Sequence, residues 1–272
     1  MERIVDNRPI GFFDSGIGGL TAVAALKKIL PDENIIYFGD TGRCPYGTRT
    51  REELQIMARQ NLEFLSSFGC KAILAACGTV SANCRDLLDT YRIPVFNVLA
   101  PSAKKMAETA GSRALAVLAT DASIRSGAFQ KAIAELCTEP REVMGIPCQD
   151  FVALSESGHT EKHDPMLAEA VKRYLSPAKE KNASAVLLGC THFGIVADAI
   201  SDFMGKDTEL VSASRCAAEE LAAYLKQNQL EGTGASSLYY TSGEPEQFNR
   251  MASVILGGEY TSESVYIPPK EV

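Results

Sequence analysis

Short apolar runs separated by longer stretches of helical periodicity constrain this chain more than any other feature. Runs suited to buried strands recur at residues 10–13, 35–38, 72–76, 95–98, 114–118, 186–188 and 209–211. Between them, residues 21–30, 52–68, 103–110, 126–136, 165–178 and 215–226 repeat apolar positions at helical spacing. A strand without polar alternation is covered on both faces, and its alternation with helices predicts an α/β fold of mostly parallel sheets flanked by helices. Glycines at strand ends, in GFFDSGIGG, YFGD and LLGCTH, predict functional loops gathered beyond the carboxyl ends of the strands. The Gly/Ser-rich stretches 229–237 and 257–263 frame a last strand pair, 238–241 and 264–267, expected as a hairpin.

At 272 residues and 46% hydrophobic content, the chain can bury one large core or build two lobes. A net charge of -7 with no Lys/Arg-rich run argues against a nucleic-acid or anionic-membrane surface. The charged start MERIVDNRPIGFF lacks a signal-peptide core, and no apolar run reaches the roughly 18 residues of a membrane span, so a cytoplasmic protein is expected. Eight cysteines should then be mostly reduced, and none forms a CxxC pair, which makes a disulfide scaffold or a bound metal a poor reading.

DSGIGG at 14–19 follows a strand and opens a helix, but Asp14 would meet a phosphate with an acid, and the glycine spacing breaks the dinucleotide pattern. Either it is a tight turn capped by Ser15, or it holds a carboxylate at a strand end facing a cleft. LAACGT and LLGCTH share a design of apolar strand, small residue, cysteine and nearby hydroxyl, hinting at two related lobes. A lone cysteine is ordinarily a small buried hydrophobe. Cys77 and Cys190, however, occupy matching strand ends ahead of predicted helices, whose N-termini would lower a thiol pKa from about 8.5 toward neutrality. The hydroxyls of Ser15, Thr79 and Thr191, with free backbone N–H groups, could hold a carboxylate or simply cap helices. His192 lies two residues beyond Cys190, and PYG at 45–47 is a turn by composition. Cys44, Cys70, Cys84, Cys137, Cys148 and Cys216 lack this double context and read as structural.

Taken in order, DSGIGGL, PYGTR, ACGTVSA, ATDASIRSGAF, FVALSESG and LGCTHF resemble the glutamate racemase family of the cofactor-independent aspartate/glutamate racemase superfamily, over residues 10–211. The resemblance implies two similar α/β lobes, residues 1–98 with 211–272 and residues 99–210, each giving one catalytic cysteine to an interlobe cleft. It implies interconversion of L- and D-glutamate for peptidoglycan synthesis, without cofactor or metal, in a cytoplasmic homodimer. Inverting a stereocentre by proton transfer needs a base on one face of the carbon and an acid on the other, which explains paired thiols. By position, Asp14 would assist Cys77 and His192 would assist Cys190, with Glu156 a further acid. Ser15, Tyr46, Gly47, Gly78, Thr79, Thr191 and Ser126 would line the substrate site or its approach.

Gly78 departs from the family, which usually has Asn there. The missing amide would contribute about 1.5–3 kcal/mol in a bond to the charged head group, and the glycine is expected to leave space beside the first thiol. If the amide is merely missing, Gly78→Asn should improve glutamate turnover; a fall would mean a site rebuilt around glycine. Phe193 and Gly194 replace the usual Tyr-Pro, and Ser212 stands where aspartate is common. Two alternatives stay open: a related amino-acid racemase or isomerase with altered substrate, and a non-catalytic amino-acid-binding protein of the same fold.

Overall fold

The computed structural model describes residues 5–109 and 111–267. The chain runs β1 (Ile10–Asp14), α1 (Leu20–Ile29), β2 (Ile35–Gly39), α2 (Arg51–Ser66), β3 (Ala72–Ala75), α3 (Gly78–Asn83), α4 (Arg85–Asp89) and β4 (Val95–Asn97). It continues through α5 (Leu99–Ala107), β5 (Leu115–Ala119), α6 (Asp121–Ser126), α7 (Ala128–Leu136), β6 (Val143–Pro147), α8 (Asp150–Glu156), α9 (Pro165–Glu180), β7 (Ala185–Leu188), α10 (Ala197–Met204) and β8 (Glu209–Ser212). It closes with α11 (Ala213–Gln227), β9 (Ser237–Thr241), α12 (Pro245–Leu256) and β10 (Glu263–Ser264).

These strands form two parallel sheets, ordered β10-β9-β2-β1-β3-β4 and β6-β5-β7-β8. Strand residues partition by period two, as a sheet covered on both faces requires. In the first sheet, Ile10, Phe12, Tyr37 and Leu74 face one core, while Phe13, Ile36, Phe38 and Ile73 face another. In the second, Leu115, Val117 and Leu187 join that same first core, while Ala116, Leu118 and Val186 turn to a third. The inner faces of both sheets therefore share one apolar layer with Leu20 and Val23 of α1, Met106 of α5 and Leu221 of α11. Packing across this layer aims the carboxyl ends of β1, β3, β5 and β7 toward one another.

Several expectations change. The last two strands are not a hairpin: β9 pairs in parallel with β2 and with β10, and α12, with Pro at its start, fills the interval as a crossover. The expected helix 126–136 breaks at Gly127, whose φ of 66° ends α6 and starts α7. The expected helix 103–110 begins earlier, at Leu99, and its last residue, Ala110, lies outside the described residues. Val211 and Ser212, expected in the first lobe, pair with β7 in the second sheet. Strand β6 was not expected at all, because an edge strand buried only at Ile146 needs no apolar run. Among the described residues no helix is long and apolar enough to cross a membrane.

One buried ion pair ties the far end of the first sheet. Lys71 and Glu33 are almost wholly buried, with Nζ 2.7 Å from Oε2. The same ammonium donates to the carbonyls of Asp6 at 2.7 Å and Leu230 at 2.6 Å, and Glu33 accepts from Gly232 N at 2.8 Å. Removing one partner leaves the other charge buried and uncompensated, so Glu33→Ala is expected to cost about 3–5 kcal/mol in urea unfolding.

Candidate active site

At the end of β1, Asp14 is fully buried and its carboxylate accepts the backbone N–H of Gly19 at 2.9 Å and of Gly16 at 3.3 Å. The DSGIGG turn is thus wrapped around a carboxylate, and the Tyr37 hydroxyl braces it by donating to the Gly16 carbonyl at 2.7 Å. Ser15 does not cap α1, which begins after Gly19 without a side-chain cap. Instead, its hydroxyl lies 3.8 Å from the Cys77 sulfur, donated to by the thiol. Cys77 precedes the first turn of α3 at the end of β3. Its pKa is not lowered as expected: burial, then the nearby Asp14 charge, push it up to about 12. Cys77 rests as a thiol.

On the second sheet, β7 ends at Leu188, and Gly189 leads to Cys190. A short 3-10 turn follows, Thr191–Gly194, rather than the expected α-helix, so the positive neighbour of Cys190 is a side chain. His192 Nδ1 lies 3.9 Å from the Cys190 sulfur, and Nε2 donates to Glu156 Oε1 at 3.1 Å. Burial opposes the imidazolium, but its bonds to Cys190 and Glu156 and the field of Asp14 outweigh that and raise His192 to about 10. Burial likewise opposes the Glu156 charge, and His192 overcomes it, holding the carboxyl below its ordinary value. At neutral pH the pair is imidazolium and carboxylate.

The carboxyl ends of the two sheets meet. The Thr191 hydroxyl donates to Asp14 at 3.3 Å, and Thr79 and Thr120 share a bond of 2.9 Å that continues to Ser123 at 2.9 Å. A Cβ built on Gly78 would fall 1.9 Å from the Gly189 carbonyl oxygen, and one on Gly18 2.5 Å from Thr191 Oγ1. The space expected beside the first thiol is therefore filled by the backbone that carries the second. Tyr46 is committed elsewhere: its hydroxyl donates to buried Asp40, which also accepts from Arg43 Nε at 2.8 Å and Ser242 at 2.6 Å. Gly47, next along, presses against Thr120.

With this geometry in place, the relatives are informative. The model of the Asp/Glu/Hydantoin racemase family matches residues 21–221. The chain belongs to this family. A curated glutamate racemase of Mycobacterium avium is 36% identical over 92% of both chains. The structure of a Bacillus anthracis glutamate racemase isoform superposes with a TM-score of 0.90 at 30% identity, covering 97% of this chain and 100% of that one. That of a Francisella tularensis glutamate racemase in complex with D-glutamate gives 0.86 at 37% identity, covering 96% and 98%. The matched family segment contains Cys77, Glu156, Cys190 and His192.

Ser126 and Cys44 are also placed differently from expectation. Ser126 bonds locally, donating to the Ser123 carbonyl at 2.7 Å, and the hydroxyls of its segment that reach the site are Thr120 and Ser123. Cys44, read as structural, donates its thiol to Glu156 Oε1 at 3.6 Å and joins the His192 relay. Burial, then the Glu156 charge, raise the Cys44 pKa, so it acts as a donor. Only its place before PYG could have signalled this. Because Gly78 sets how closely the thiol turns approach, both Gly78→Ala and Gly78→Asn should force them apart. Iodoacetamide labelling of Cys77, followed by peptide mass mapping, is expected to speed up in each variant.

Proposed function

We propose that this chain interconverts L- and D-glutamate, with Cys77 and Cys190 as acid and base on opposite faces of the α-carbon. The observation that carries this reading is the meeting of two thiol-bearing strand ends, one from each sheet, each with its own charged neighbour. The M. avium relative is named a glutamate racemase, and the F. tularensis structure holds D-glutamate, which supports glutamate as the substrate. The two sheets with their flanking helices act as two lobes, Val211 and Ser212 belonging to the second, that part to admit it. The product would feed peptidoglycan synthesis in the cytoplasm, and a homodimer follows from the same family likeness.

In the L-to-D direction, the Cys190 sulfur takes the α-proton: the Cα–H bond breaks and an S–H bond forms. His192, charged and 3.9 Å away, supplies a positive field beside that sulfur. The carbanion then takes the proton of the Cys77 thiol from the other face, leaving a Cys77 thiolate. The D-to-L direction uses the same steps in reverse. Ser15, Thr79 and Thr191 hydroxyls and the backbone N–H groups of the turns would hold the head group, and closure of the sheet edges excludes water.

Incubation with D- or L-glutamate in deuterated buffer should wash deuterium into the α-position and remove optical rotation. Cys77→Ser and Cys190→Ser should each abolish racemisation; full turnover in either, or no exchange by the wild type, would reject the proposal. A protein that binds glutamate by calorimetry without exchanging it would be the non-catalytic alternative.

His192 also makes the chemistry pH-dependent. Its pKa of about 10 in the fold lies above the ordinary 6.5. Protonation therefore stabilises the fold fully below about 6.5, and this contribution is lost as pH rises through about 10. Turnover should fall on the same alkaline limb, and His192→Gln should be slower with that limb absent from its pH–rate profile.

A further inference from the structure

Gln149 carries a side-chain amide that neither the mechanism nor the family motifs use. It stands at the N-cap of α8 but makes no capping bond, and its Oε1 is buried without any hydrogen-bond partner. Buried polar atoms are overwhelmingly paired, so an unpaired one next to a reaction site asks for a ligand. Its position supplies the rest. A Cβ on Gly47 would lie 2.5 Å from that Oε1 and 2.8 Å from Thr120 Cβ, so the amide fits only because residue 47 is glycine. Thr120 in turn bonds Thr79, two residues past Cys77. The amide is thus seated at the seam between the sheets, beside the loop expected to line the substrate site.

The surrounding charges define what it could recognise. Asp14, Asp40 and Glu156 are the acids of this region, the Arg43 guanidinium is spent on Asp40, and His192 is spent on Glu156 and Cys190. A second carboxylate on the substrate would therefore need neutral donors. A primary amide presents N–H₂ after a half-turn about its last bond, and O when it does not, so it suits a carboxylate or a carboxamide equally.

We propose that Gln149 is a specificity-determining residue that binds the distal carboxyl group of the amino-acid substrate when the Gly47 loop parts from it. This rests on the racemase reading and names the contact that distinguishes a dicarboxylic amino acid from shorter ones. Being remote from the α-carbon, the contact holds in ground state and transition state alike, so its loss appears in KM and not in kcat.

The test is α-proton exchange kinetics and calorimetric D-glutamate binding for the wild type, Gln149→Leu and near-isosteric Gln149→Glu, with melting temperatures as a folding control. Gln149→Leu should raise KM for glutamate by about tenfold or more, as loss of a bond to a charged group does, with kcat within about twofold. Gln149→Glu should repel the distal carboxylate and shift preference from glutamate toward glutamine. If both variants keep the wild-type KM, or lose kcat alone, the proposal is overturned. Should the wild type exchange no glutamate, the racemase reading fails by itself, and unchanged D-glutamate affinity in the variants would then separately reject Gln149.

Discussion

A carboxylate taken out of water at the end of a strand has to be satisfied by the groups around it, and the site depends on how Asp14 meets that demand. Two of its donors are backbone amides of its own glycine-rich turn, at Gly16 and Gly19. The third is the Thr191 hydroxyl, from the opposite sheet and next to the second thiol. Satisfying one buried charge therefore draws the two thiol-bearing turns together. The glycines at 18 and 78 make that approach sterically possible, because a Cβ at either would overlap the facing turn. The residue that seemed to remove a recognition group is also the one that lets the carboxyl ends of the two sheets meet.

The two thiols occupy unlike surroundings although their sequence contexts match. Cys77 is enclosed, has the Asp14 charge beside it and holds its proton up to about pH 12. Cys190 is more open and has an imidazolium as its neighbour, itself anchored by Glu156 and, through that carboxylate, by Cys44. The two sulfurs thus sit beside charges of opposite sign. This polarity arises from side chains far apart in the chain, at positions 14, 44, 156 and 192, and not from helix dipoles.

Much of the scaffold was legible because strands buried on both faces must be apolar, as β3, β5 and β7 are throughout. Strand β6 escaped because its edge position relaxes that demand, and the β9–β10 pair was misread because a short terminal stretch leaves no sign of whether its strands run parallel. The thiols, Asp14 and His192 could be found by motif. The contacts of Thr120, Ser123, Cys44 and Tyr37 could not, since each is defined by a partner brought close only by folding. Ser126 and Ser15 show the converse error: a hydroxyl at a promising position acquires its role from whichever neighbour the backbone offers.

By itself, the sequence determined an α/β scaffold with two cysteines at equivalent strand ends, because apolar runs, glycine turns and residue order are local properties. Only the tertiary structure decided that Cys77 stays protonated and what fills the space at Gly78. Only it could seat Cys44 and Gln149 at the seam. Those outcomes depend on burial and on contacts between the two sheets, and neither is encoded at any single position of the chain.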